Sequence, residues 1–235
     1  MTERFEISSV DEAEVLRYLG YRGAAEAPEV RALLDWGCAH ASEVGRPAAT
    51  VRTFGVAGRE PRADGTPQIQ LEGSALALDG ADIASHLDGA VSVAVVAVTV
   101  GMGVERELRR LAATDMARQL VFDAASTALV ERAADVAEAG VVGRARAEGR
   151  FCASRFSPGY GDLPLACQPV LLASLDAQRT LGITLTDSLL MIPTKSVTAV
   201  VGLFDKAPER RVRGCASCNL FDVCSARRRG RTCDA

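Results

Sequence analysis

Hydrophobic positions recur at helical spacing at the start of the chain, switch to alternation, and then merge into long apolar runs. Ala13, Val15, Leu16 and Leu19 follow Asp11, whose short carboxylate suits an N-cap, and Gly20 stops the run. Pro28 and Glu29 open a second helix through Leu33, Leu34 and Trp36 to about Val44, where Gly45-Arg46-Pro47 ends it. Residues 51–56 read as a strand. Within 68–78, Ile69, Leu71, Leu76 and Leu78 lie at even spacing, as in a half-buried hairpin, and the Gly-, Pro- and charge-rich 57–67 is a loop or a long hairpin tip. Asp79-Gly80 turns the chain into a short helix over 83–87, and the β-branched 91–100 suits a central strand. Helix-forming sequence then runs from Val104 to about Ala139, with Thr114-Asp115 as a cap between two helices. The many alanines in this stretch imply a face pressed close against another element.

The last third is more broken. Residues 150–165 are irregular and rich in Gly and Pro. A helix is predicted over 166–181, with Leu171, Leu172 and Leu175 inward and Gly182 at its C-cap. Strands are predicted over 183–192 and 196–204, joined through Pro193-Thr194-Lys195. These elements add up to an α+β fold: a mixed or antiparallel sheet covered by long helices. Past Asp205 the chain turns basic and cysteine-rich, which divides it into a domain over 1–205 and an appendage over 206–235.

The 235 residues are 48% hydrophobic and 24% charged, values of an ordinary globular protein that exclude a disordered, collagen-like or coiled-coil chain. A formal charge of −3 writes no polyanion-binding surface into the chain as a whole, so nucleic acid is not an expected partner. The polar start lacks the order of a secretory signal, and the longest uncharged stretch, 89–104, falls short of the roughly 20 residues a membrane span needs. The expectation is a cytoplasmic protein with no membrane contact. Seven cysteines then point to thiols or metal ligands rather than disulfides.

The most informative segment is Arg155-Phe156-Ser157-Pro158-Gly159-Tyr160-Gly161-Asp162. Pro158-Gly159 fits the centre of a type II turn, where the glycine takes positive φ, and glycines let a ligand approach the backbone. Arg155 offers a planar fork for a carboxylate, and Tyr160 a ring for stacking. A structural turn with Arg155 in a surface salt bridge fits the same residues.

This segment, the helix after it, Leu181-Gly182-Ile183-Thr184-Leu185-Thr186-Asp187-Ser188, and Met191-x-Pro193-x-x-Ser196-Val197 together resemble the reactivation domain of cobalamin-dependent methionine synthase over about residues 115–204. In that family an Arg-Pro-x-Pro-Gly-Tyr segment binds S-adenosylmethionine. The resemblance implies that Arg155 pairs with the methionyl carboxylate, that Ser157 and Gly159 give backbone contacts, and that Tyr160 lies near the nucleoside. It also implies that Glu131 holds the amino group; a helix glutamate paired with a nearby arginine is the other reading of that residue. Gly161-Asp162 departs from the family pattern, as does the lack of a tyrosine pair beyond the hairpin, since the only tyrosines are Tyr18, Tyr21 and Tyr160. The family's corrinoid-binding pattern Asp-x-His-x-x-Gly is not met at His86, because Ala84 stands at the aspartate position. Cobalamin is therefore expected to be carried by a partner protein.

A second constellation is Cys215-x2-Cys218-x5-Cys224-x8-Cys233, four sulfurs suited to zinc or an iron–sulfur cluster, among Arg213, Arg227, Arg228, Arg229 and Arg231. Cys38, Cys152 and Cys167 read as buried apolar residues. Gly101-Met102-Gly103 opens a helix as a dinucleotide loop does, but Arg106 replaces the third glycine. The resemblance implies an accessory subunit for reductive reactivation, by remethylation from S-adenosylmethionine, of a cobalamin-dependent methionine synthase that lacks its own activation domain, with an electron donor as further partner. Two alternatives compete: a reactivator of another corrinoid methyltransferase, and a zinc-stabilised module that binds nucleic acid or an acidic protein.

Overall fold

The computed structural model describes residues 2–21 and 27–208. Local signals place the first helices where the sequence predicts them. In α1 (Glu12–Tyr18) the Asp11 carboxylate accepts from the Ala13 N–H at 2.8 Å, and α2 (Pro28–Val44) starts on its proline. They follow a short strand β1 (Thr2–Arg4) and precede β2 (Ala48–Gly58), the hairpin β3 (Gln68–Leu71) and β4 (Ala77–Asp79), and the short helix α3 (Ala81–His86). Next come β5 (Ser92–Thr99), α4 (Met102–Thr114), α5 (Met116–Ala147) and β6 (Phe151–Cys152). Then α6 (Gln168–Ser174), α7 (Ala177–Leu181), the hairpin β7 (Thr184–Leu185) and β8 (Met191–Ile192), and β9 (Ser196–Phe204) complete the order.

The main sheet runs β4-β3-β2-β5-β9-β6, with β1 beside β2, and every pair in it is antiparallel. All eight residues of β5 are buried, because both faces of the sheet are covered. Val93, Val95 and Ala97 point into a core shared with β3, β4, α3 and α6, while Ala94, Val96 and Val98 face α5. The alanine stripe Ala133, Ala134, Ala137 and Ala145 of α5 lies on this second face, with Val201 and Leu203 of β9. Small side chains there let a helix of 32 residues lie close along the sheet. The earlier part of α5 packs instead against α1, α2 and α4 through Phe122, Ala125 and Leu129.

Three expectations need correction. α5 continues to Ala147, past Gly140 and Gly143, because Val141 and Ala145 gain burial against the sheet that outweighs glycine's cost of about 1 kcal/mol each in a helix. The helix over 166–181 breaks into a 3-10 turn, α6 and α7, and Asp176 takes φ 51° at the break. Residues 183–192 are not one strand: Thr186 and Leu190 close a tight turn between β7 and β8, with the Thr186 N–H donating to the Leu190 carbonyl at 2.9 Å and Leu189 at φ 64°. Among the described residues no helix is long and apolar enough to cross a membrane.

Candidate functional site

Beyond β6 the chain leaves the sheet edge and returns at Phe156, whose N–H donates to the Val200 carbonyl at 2.9 Å and whose carbonyl accepts from Val200 N–H at 2.8 Å. Neighbours in an extended segment point to opposite faces. Phe156 enters the core of one face, and Arg155 turns toward α5 on the other. The motif this segment resembles has proline at the position of Phe156, and phenylalanine supplies an N–H that proline lacks. The His86 ring supports the strap, donating from Nε2 to the Ser154 carbonyl at 2.8 Å and packing 5.1 Å from the Phe156 ring.

The predicted turn forms over 157–160. Tyr160 N–H donates to the Ser157 carbonyl at 3.1 Å, Gly159 has φ 88°, and a second bond, Gly159 N–H to the Leu163 carbonyl at 2.8 Å, closes the loop. Pro158 is buried beneath it, and Tyr160 is 70% exposed. Asp162 departs from the family pattern and serves the local structure instead. Its carboxylate accepts from Ala81 N–H at 2.6 Å and Asp82 N–H at 3.0 Å, which caps α3 and ties the loop to it.

Arg155 lies against three carboxylates of α5. Its Nη2 donates to Glu131 Oε2 at 2.9 Å, and its Nη1 donates to Asp135 Oδ1 at 2.6 Å and Glu138 Oε2 at 2.9 Å. Glu138 also accepts the Arg155 backbone N–H through Oε1 at 3.0 Å, so one side chain fixes both ends of the residue. Partial burial works against the guanidinium's charge. The bond to Asp135 and the fields of Asp135, Glu138 and Glu131 outweigh that burial and hold the pKa above its ordinary value. These bonds use Nη1 and Nη2; Nε–H takes no part in them.

The structure thus brings Arg155 and Glu131 into direct contact, with the turn of Ser157, Gly159 and Tyr160 following directly in the chain. Sequence reasoning missed Asp135 and Glu138. Their signal is the spacing 131, 135, 138, which puts three acids on one helix face. The void between Arg155, Glu138 and the sheet is only about 10 Å³, so a ligand would sit on the outer side of this cluster. Cys152 and Cys167 are half-buried, and burial raises both thiols, Cys167 to about 11, which keeps them protonated. Among the described residues no cluster of His, Cys, Asp and Glu has the geometry to hold a metal ion, and Cys215, Cys218, Cys224 and Cys233 lie outside them.

Together these features define an α+β protein that carries an arginine, a helix-borne carboxylate stripe and a glycine turn at the edge of an antiparallel sheet. The family described as the activation domain of vitamin B12 dependent methionine synthase matches residues 81–225, more than half of the chain, and this protein belongs to that family. A solved structure described as the MetH reactivation domain bound to AdoHcy shares the fold, with a TM-score of 0.58 at 16% identity over 99% of this chain and 86% of that one. No curated protein matches the chain.

Proposed function

We propose that this protein binds S-adenosylmethionine at the Arg155 turn and serves as an accessory subunit in the reductive reactivation of a cobalamin-dependent methionine synthase. The observation that carries the reading is the contact of Arg155 with Glu131 inside a segment matched by the activation-domain family. An α-amino acid bears its ammonium and carboxylate on one carbon, so the groups that read them must be neighbours, as these two are. Arg155 offers its Nε edge to the methionyl carboxylate, and Glu131 takes the ammonium. Ser157 and Gly159 give backbone contacts, and the exposed Tyr160 ring lies near the nucleoside.

The structure described as bound to AdoHcy supports a ligand of this class. The chemistry served is transfer of the sulfonium methyl to reduced cobalt on the partner's cobalamin, in which the carbon–sulfur bond breaks, a cobalt–carbon bond forms and the thioether leaves. An electron donor must first supply one electron. This chain's part is positioning, and no general acid or base is required of it. We assign the work to the 1–205 domain in the cytoplasm, and to the 206–235 appendage a zinc or iron–sulfur site on Cys215, Cys218, Cys224 and Cys233.

Calorimetry with S-adenosylmethionine tests the ligand assignment. Binding to the native protein that Arg155→Ala weakens at least tenfold is expected, and affinity unchanged by that substitution overturns it. Metal analysis and the visible spectrum of anaerobically purified protein test the appendage: brown colour with iron and sulfide, or colourless protein with one zinc, supports a site, and metal-free protein refutes it.

A further inference from the structure

The carboxylates around Arg155 outnumber it. Glu131, Asp135 and Glu138 bring three negative charges to one guanidinium, a surplus of two. Arg155 is 26% exposed and Asp135 52%, so the surplus faces the side on which a ligand would approach. Anchoring an arginine takes one well-placed acid, and Glu138, 23% exposed and bonded to both the backbone and the side chain of Arg155, already does that. Asp135 and Glu131 exceed that need.

Resting on the reading of this cleft as an S-adenosylmethionine site, we propose that the carboxylate stripe selects ligands by net charge, favouring the cationic sulfonium over the neutral thioether that methyl transfer leaves behind. S-adenosylmethionine carries ammonium, sulfonium and carboxylate, a net charge of +1; S-adenosylhomocysteine lacks the sulfonium charge and is neutral. Arg155 and Glu131 read the amino-acid end that both compounds share, so they do not tell the two apart. Asp135 supplies a negative field that separates the two compounds, because the ammonium and carboxylate it also acts on are common to both and only the sulfonium differs. Loss of the methyl group abolishes that attraction, and the product leaves more readily than the substrate. Asp135 is the specificity-determining residue and Glu138 a positioning residue that acts through Arg155.

The test is calorimetry on the full chain with S-adenosylmethionine, S-adenosylhomocysteine and sinefungin, in which an ammonium on carbon replaces the sulfonium. Native protein should bind both cationic compounds more tightly than the thioether. Asp135→Asn should narrow that gap by about two- to fivefold, the size of a partly exposed charge pair, and added salt should narrow it further. Because Glu131 and Glu138 still hold Arg155, the variant keeps its fold, and its melting temperature checks this. If Arg155→Ala weakens binding while the cation-to-thioether gap is absent, or is the same in Asp135→Asn and native protein, charge selection is wrong and the site reading stands. If none of the three compounds binds, both are wrong.

Discussion

Two cations of the last third dock on one stripe of α5, and they are held in opposite ways. Lys195, 15% exposed and just before β9, donates from Nζ to Thr127 Oγ1 at 2.7 Å and lies 2.9 Å from Asp123 Oδ1. Arg155, bridged to the sheet at the level of Val200 by its neighbour Phe156, meets Glu131, Asp135 and Glu138. Five residues of strand from Lys195 to Val200 span about 17 Å, and twelve residues of helix from Asp123 to Asp135 about 18 Å. β9 and α5 therefore keep step, and one polar stripe serves both cations. The lysine is matched by a single carboxylate and a hydroxyl, so its charge is closed. The arginine meets a surplus of acid and keeps its Nε–H out of those bonds. Balanced charge makes a clamp of Lys195; under the proposed function, the imbalance at Arg155 and its Nε–H serve a ligand.

Substitutions at the two cations should therefore separate binding from stability. Arg155→Ala, the largest effect, should lower affinity for S-adenosylmethionine by ten- to a hundredfold, the worth of a charge-assisted hydrogen-bond pair, when measured by calorimetry. Lys195→Met should leave that affinity within about twofold and destabilise the fold by about 1–2 kcal/mol in denaturant titration, because Asp123 is partly exposed and rehydrates. A loss of affinity in Lys195→Met as large as that in Arg155→Ala would erase the distinction. Asp162→Ala strips the cap from α3 and should cost about 1 kcal/mol in the same titration. It should loosen the Arg155 strap, visible as faster amide exchange over 157–163, while exchange around Lys195 is unchanged.

The sequence made the clamp's frame easier to read than the site. The caps Asp11 and Asp115 and the helix-opening Pro28 act within a few residues of themselves, and all three stand where the sequence predicts them. The type II turn at Gly159 is equally local. The contact of Arg155 with α5 bridges up to 24 residues of sequence and depends on the strap's return to β9, which alternation alone does not reveal. The same limit explains the missed hairpin over 183–192, where Thr186 and Leu190 bond each other and divide the expected strand into two short ones. Helix α5 outran its glycines for a tertiary reason as well, since Val141 and Ala145 find the sheet. Asp135 and Glu138 were visible as a spacing, but only a partner arginine gives that spacing meaning.

A third cluster, on α4, gives the comparison its mildest test. Glu107 accepts from Arg110 Nε at 2.8 Å and Nη2 at 2.7 Å, and from His40 Nε2 at 2.8 Å. The Arg110 bonds pull the carboxyl pKa down, desolvation opposes them, and the His40 bond assists, so that it falls from 4.5 to about 2. A carboxyl whose folded pKa lies below its unfolded value adds stability that is complete above the unfolded value, and it loses that stability as pH falls through the folded one. Native protein should therefore lose melting temperature through this group as pH drops from about 4.5 toward 2. Glu107→Gln should lose less over that window, with a constant offset above it. The difference should be the smallest of the series, because Arg110 is a surface residue and its pairing is screened. Curves for the two proteins that run parallel from neutral pH down to 2 would show that Glu107 does not titrate with folding. The balanced clusters would then contribute through packing alone, and charge balance would no longer distinguish the Lys195 clamp from the Arg155 site.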